Sequence, residues 1–303
     1  MEEWFFLGKI ILGAILFLLV LNELLLRCYI SARTERGALA MTVILYKLGL
    51  GIISDILGEE VKDGKSAIRA AARYVLHIRH LSGLRNKFPD IRLAISVKLS
   101  QLGLKFDKKL ARRMILKIYK DCLDRGIELE IDIEGPETIE DTLACVLPLA
   151  RFGGEFRQAV ASNQLKSEKF LVALARRGIK IRLVKGAYKG DYRDKDAIKF
   201  NYWKFAEIAK SYGLDTAYGS HDLEMLSWVQ KIWGGRVQKL FGVHMFGPKD
   251  WIYMTWGSRK DARPYLKRRF KEGIRPSLFF TFIRNIPESL IWRLRYAPLS
   301  FFY

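Results

Sequence analysis

IKIRLVKGAY, residues 179–188, decides how this chain is read. A short apolar run carrying embedded cations leads into Lys-Gly, the pattern of a buried parallel strand whose C-terminal end holds an anion. Arg182 and Lys185 bring positive charge to the strand exit, and Gly186 lets the backbone approach a ligand where a Cβ would collide. Taken alone, an ordinary strand with a snorkelling arginine reads the same way, so the flanking sequence has to separate the two.

Outward from this strand, apolar runs alternate with amphipathic stretches. Strands are expected at 51–58, 91–99, 127–133, 155–161, 179–186, 214–220, 238–244 and 251–256. Helices are expected at 38–50, 66–88, 107–125, 138–152, 167–177, 194–212, 223–233 and 260–271. Eight strands mostly separated by helices, in about 250 residues, is the arithmetic of a distorted (β/α)8 TIM-type barrel. The seventh connection breaks the pattern, because only residues 245–250 separate the last two expected strands.

The 303 residues are half apolar and 28% charged, with a formal charge of +20. That charge admits nucleic acid, an anionic membrane surface or an anionic cofactor. No zinc-finger spacing, RNP-type aromatic motif or basic helical fork is present, so no nucleic-acid partner is expected. Cys28, Cys122 and Cys145 are widely spaced and give neither a disulfide framework nor a metal cluster. Oligomeric state is not encoded in any of these features.

Residues 4–26 form one long apolar segment, broken by Lys9, Asn22 and Glu23. Its length matches a membrane-crossing helix, with Trp4, Phe5 and Phe6 suited to an interfacial belt. Arg27, Arg33 and Arg36 follow it and put the domain on the cytoplasmic side by the positive-inside rule. The alternative is a hydrophobic helix packed on the domain or on a partner chain. The expected organisation is an N-terminal anchor at 1–33, a barrel at 34–285 and an aromatic, basic tail at 286–303. The tail reads equally as an interfacial segment or as a docked terminal helix.

Barrel chemistry gathers at the C-terminal ends of the strands. Those exits carry Lys98 and Ser100, then Glu130, Asp132 and Glu134, then Gln158, then Arg182 and Lys185, then Ser220, His221 and Asp222, and finally Tyr253. Each alone has a dull explanation; six polar exits converging on one mouth do not. The last helix adds Arg268, Arg269 and Glu272. Arg268 and Glu272 share a face, and Arg269 is offset by about 100°. Paired guanidinium groups suit the bidentate grip of a carboxylate.

SVKLSQLGL (96–104), EIDIEGPETIEDTL (130–143), RLVKGAY (182–188), GSHD (219–222), Tyr253 and YLKRRFKEG (265–273) together resemble the proline dehydrogenase family, in order and spacing, over roughly residues 37–285. The resemblance implies a distorted (β/α)8 barrel binding FAD at the strand C-termini, oxidising L-proline to Δ1-pyrroline-5-carboxylate and passing electrons to a membrane quinone. By position, Arg268, Arg269 and Lys98 would grip the substrate carboxylate. Tyr253 would pack on the proline ring, and Glu272 would pair with the arginines and close the site. Asp132 would support the hydrogen-bond network with Lys98, and Arg182 would sit near the flavin N5. Ile131, Gln158, Lys185, Gly186, Ala187, Ser220 and His221 would line FAD.

Several positions depart from the family pattern. Thr255 stands where Pro is common, Ser220 where Thr is usual, and Val160 where an aromatic is common. Trp256 is expected either to narrow the pocket or to alter the fit of proline. These departures keep two other readings open: a flavin-dependent dehydrogenase of another cyclic imino acid such as hydroxyproline, and a membrane scaffold that retained the barrel without turnover.

Overall fold

A computed structural model of the chain describes residues 30–58, 60–241 and 250–273. Helix α1 (Glu35–Lys47) precedes β1 (Gly51–Ile56). Then come α2 (Gly64–Lys87), β2 (Leu93–Val97), α3 (Lys108–Arg125), β3 (Glu128–Ile131), α4 (Ile139–Val146) and β4 (Phe156–Ala161). The chain continues through α5 (Ser167–Ala175), β5 (Lys180–Val184), α6 (Lys195–Ser211), β6 (Thr216–Gly219), α7 (Leu223–Ile232), β7 (Arg236–Leu240), β8 (Trp251–Trp256) and α8 (Arg259–Gly273). The strands pair in sequence order, all parallel, and β8 closes on β1 from Gly51 opposite Trp251 to Ile56 opposite Trp256. The expected (β/α)8 barrel is therefore present, and it is closed.

The helices start where short polar side chains cap their free N–H groups. Thr34, Asp63, Asp107, Asp194 and Asp222 each accept from a backbone N–H in the first turn of the helix that follows. Helix α3 stops at Gly126, whose positive φ of 61° closes the last turn with backbone bonds to Cys122 and Leu123. Two boundaries differ from expectation. The helix expected over 138–152 is a 3-10 turn at Pro136–Thr138, then α4, then a 3-10 segment at Leu147–Phe152. Pro148 lacks the N–H an α-helix needs there. The strand expected at 238–244 begins and ends earlier, so the seventh connection is longer than its reading allowed. Residues 242–249 of that connection lie outside the described residues.

Period-two alternation divides the barrel wall. Outward-facing Ile52, Ile56, Ile95, Leu129, Ile131, Ile181, Leu183, Ile252 and Met254 join the apolar shell under the helices. Inward, at the N-terminal end of the strands, Trp251 packs with Ile53 and Ala94. The guanidinium groups of Arg92 and Arg236 lie 5.5 and 4.4 Å from its ring, so the barrel floor is stoppered by one indole between two cations.

Trp256 corrects an expectation. It shares the outward face with Ile252 and Met254, so it cannot narrow the pocket. Its Nε1 donates to Ser54 Oγ at 2.9 Å, its ring lies 4.8 Å from that of His77, and the Arg73 guanidinium lies over it. Ser54 Oγ is 2.8 Å from His77 Nε2, and His77 Nδ1 is 2.8 Å from Glu35 Oε1. The order is that of a Ser-His-acid triad, but Ser54 and His77 are both buried and neither lines the cleft described below. Burial pushes the His77 pKa down, which keeps the ring neutral, donating to Glu35 and accepting from Ser54. This line of bonds pins β1 and β8 to α1 and α2.

The chain enters the barrel at its cleft end. Ser31 N and Oγ both donate to Thr255 O, Ala32 bridges Trp256, and Gly257 N donates to Ala32 O. Ile30 packs with Leu57, Ala262 and Tyr265. Among the described residues no helix is long and apolar enough to cross a membrane. The apolar segment 4–26 and the tail 286–303 lie outside the described residues.

A Cβ added at Gly51 would fall against the indole of Trp251, far inside contact distance. Gly51→Ala is expected to lower stability by about 1–3 kcal/mol without changing the denaturant m-value, as read from urea unfolding.

Candidate active site

Where the strands end, the inward side chains change from apolar to charged. The interior then holds a layer of ions around a cleft of about 380 Å³, within the range of small-molecule sites. Asp132, just past β3, is the shared anion. Its Oδ1 lies 2.5 Å from Arg182 Nη2, and its Oδ2 accepts from the Tyr253 hydroxyl at 2.7 Å and lies 3.3 Å from Lys98 Nζ. Lys98 also sits 2.5 Å from Asp55 Oδ1. Tyr253 OH is 2.9 Å from Ser96 Oγ, and the Arg182 guanidinium lies 4.9 Å from the centre of its ring.

Beneath this layer Glu130 takes the other end of Arg182, with Oε2 2.9 Å from Nη1. Its Oε1 accepts from Gln238 Nε2 at 2.6 Å and lies 3.7 Å from Arg157 Nε. Arg157, 1% exposed, donates also to the carbonyls of Ile181 and Asp215 and to the Asp215 carboxylate. The cluster thus holds Lys98, Arg157 and Arg182 against Asp55, Glu130, Asp132 and Asp215.

Burial raises the cost of every charge here, and the partners decide each titration. Burial pushes Asp132 up, but Lys98 and Arg182 outweigh it and hold the carboxyl at about 2. Burial alone would lower Lys98 and Arg182; Asp55 for the first, and Asp132 with Glu130 for the second, hold both above their ordinary values. Asp55 is pushed up by burial, which Lys98 offsets in part. Burial and the neighbouring Asp132 charge raise Tyr253 well above a free phenol. Glu134, which accepts from Ser100 N and Oγ at 2.9 and 2.6 Å, is raised by burial.

Of the residues singled out in the sequence, Lys98, Asp132, Arg182, Lys185, Gly186, Ala187, Ser220, His221 and Tyr253 all line this cleft. Lys185 reaches across its rim to Asp222 at 2.8 Å. Gly186 holds a φ of 109°, which favours glycine, and a Cβ there would meet the Asn163 side chain. Ile131 and Gln158 are placed differently. They pair with each other in register, are wholly buried, and are not among the cleft-lining residues. With Glu130 and Asp132 facing inward, Ile131 must face out, and its register partner Gln158 takes the same face. Helix α8 contains positions 268, 269 and 272, but the side chains of Arg268, Arg269 and Glu272 lie outside the described residues; Tyr265 of the same helix lines the cleft. Sequence reading missed Asp55, Arg157 and Gln238 and gave Glu130 no role. The available signal was a charge inside an otherwise apolar buried strand, as in GIISDI and FRQAVA.

No family model matches the chain. Over 249 residues, 76% of this chain and 79% of the relative, it is 24% identical to proline dehydrogenase 2 of Bacillus subtilis strain 168. The same figures hold for proline dehydrogenase 2 of Bacillus subtilis subsp. natto. Among solved structures it is similar to proline utilization A from Bdellovibrio bacteriovorus inactivated by N-propargylglycine. That match has a TM-score of 0.75 at 19% identity and covers 88% of this chain and 35% of that one. Proline utilization A from Bradyrhizobium japonicum gives 0.67 at 22%, covering 84% and 31%. The chain spans about a third of the length of these structures, and the likeness to them is one of fold.

Asp132→Asn leaves Lys98 and Arg182 short of a counter-charge and is expected to cost about 3–5 kcal/mol at neutral pH. Because the folded pKa is depressed, the ionised Asp132 contributes fully above about pH 4 and is lost as the pH falls through about 2. The stability gap between the two proteins should therefore be constant above about pH 5 and narrow between about pH 4 and pH 2, as measured by chemical unfolding at each pH.

Proposed function

We propose that this chain is an FAD-dependent proline dehydrogenase, oxidising L-proline to Δ1-pyrroline-5-carboxylate. The observation that carries the reading is the meeting of Lys98, Asp132, Arg182 and Tyr253, from four regions of the sequence, at one cleft. The lining suits FAD. Arg182 Nε, Gln164 Oε1 and Gln238 Oε1 are buried in the cleft wall without a hydrogen-bond partner, a costly state that a polar ligand relieves. The backbone at 185–187 and 219–222 comes close to the cleft, and Lys185, half-exposed at the rim, would turn from Asp222 to a pyrophosphate. FAD, when bound, supplies the hydride acceptor.

The chain's own residues bind and orient. Arg182, fixed at both Nη atoms, would keep its unpartnered Nε–H for the flavin. Lys98 and Arg182 are each already matched by carboxylates, so neither is spare for a substrate carboxylate. That favours Arg268 and Arg269 as the grip, with Lys98 at its edge and Glu272 pairing with the arginines to close the site. Those positions follow Tyr265, which lines the cleft, by three, four and seven residues on α8, the spacing of one helical stripe. Tyr253, its hydroxyl tied to Asp132, offers a flat face to the proline ring. Electrons pass onward to a membrane quinone. Residues 4–26 anchor the chain and the basic surface rests on anionic lipid, with the barrel on the cytoplasmic side; the apolar segment, its arginine flank and the +20 charge support this.

The purified protein is expected to be yellow, or to become so when loaded with FAD, and to bleach on anaerobic addition of proline. Faster bleaching by hydroxyproline would reassign the substrate, and a colourless protein that takes no FAD would end the reading. Tyr253→Phe should keep the flavin and lower kcat/KM for proline about ten- to a hundredfold, the loss of one hydrogen bond to a buried charge.

A further inference from the structure

The place where the chain joins the barrel constrains how a membrane-anchored form can stand. Residues 30–32 are fixed at the cleft end. Ser31 is tied to Thr255, Ala32 to Trp256 and Gly257, and Ile30 is packed with Leu57, Ala262 and Tyr265. Tyr265 itself lines the cleft. The apolar segment ends at residue 26, so residues 27–29 are the whole connection. Fully extended, the step from 26 to 30 covers at most about 14 Å. Helix α2, which runs from the cleft end to the floor, is 24 residues long, about 36 Å. A tether this short cannot reach the bilayer from the floor end.

We propose that the rim of the cleft is the membrane-facing surface of the protein and that the bilayer lies directly over the mouth. The inference rests on the anchor reading of residues 4–26 given above. Its occupant is a lipid bilayer with anionic headgroups, for which Arg27, Arg33 and Arg36 flank the junction. The arrangement lets a lipid-soluble acceptor reach the cleft from the hydrocarbon side, and it leaves the barrel floor, with Trp251, Arg92 and Arg236, turned to water.

The test uses the full chain in vesicles of phosphatidylcholine and phosphatidylglycerol. Cys28→Ser removes the thiol near the junction, and the buried Cys122 and Cys145 stay unlabelled. Single cysteines are then placed by Lys62→Cys, just before α2, or Asn86→Cys, in its last turn, both exposed. A fluorophore is attached to each, and quenching by nitroxide-labelled lipid is read. Quenching should be at least threefold stronger at position 62 than at position 86. Equal quenching, or stronger quenching at 86, in protein that floats with the vesicles overturns the orientation and leaves the anchor standing. Protein that does not float overturns the anchor, and the orientation falls with it.

Discussion

The carboxylate of Asp132 holds the active end of this barrel together. It is buried, and a buried ion is costly unless opposite charges and hydrogen-bond donors surround it closely. Here Arg182, Tyr253 and Lys98 converge on its two oxygens from β5, β8 and the end of β2. Satisfying those partners recruits others: Asp55 for Lys98, Glu130 for Arg182, and Arg157 behind Glu130. The result is a layer of paired ions laid across the barrel, with an apolar plug beneath it and a cleft above.

Alternation along the strands decides which residues take part. It turns Glu130 and Asp132 into the interior and sends Ile131 and Gln158 to the outer wall. It also carries Ser54 and Trp256 outward, where they meet His77 and Glu35. The Ser54–His77–Glu35 line has the bond order of a hydrolase triad but lacks access, so its geometry serves to fasten helices to strands. Distances alone would misread it; burial and face settle the matter.

Much of this was legible in the sequence. Eight continuous apolar runs of strand length, set among amphipathic stretches with Asp or Thr at their starts, specify a parallel barrel, because both faces of each strand must be covered. Lys98, Asp132, Arg182 and Tyr253 could be gathered because strand exits in such a barrel share one rim. Glu130 and Arg157 could not be assigned, since their pairing depends on the register between β3 and β4, which no local pattern encodes. Ile131 and Gln158 lie off the cleft because the alternation of the strand, which whole motifs do not show, turns them to the other face. The end of α4 shows the same limit: Pro148 was visible, yet its effect is a change of helix type that leaves the direction of the chain unaltered.

The indole that stoppers the floor has a kinetic consequence. Trp251, with Arg92 and Arg236 against its ring, fills the barrel interior at the N-terminal end of the described strands. In the flavoenzyme proposed above, donor and acceptor would enter from the same end, so the oxidised product would depart before the next electron carrier approaches. Initial-rate plots for the two substrates would then run parallel instead of intersecting, the mark of a double-displacement sequence imposed by a plug some distance from the chemistry.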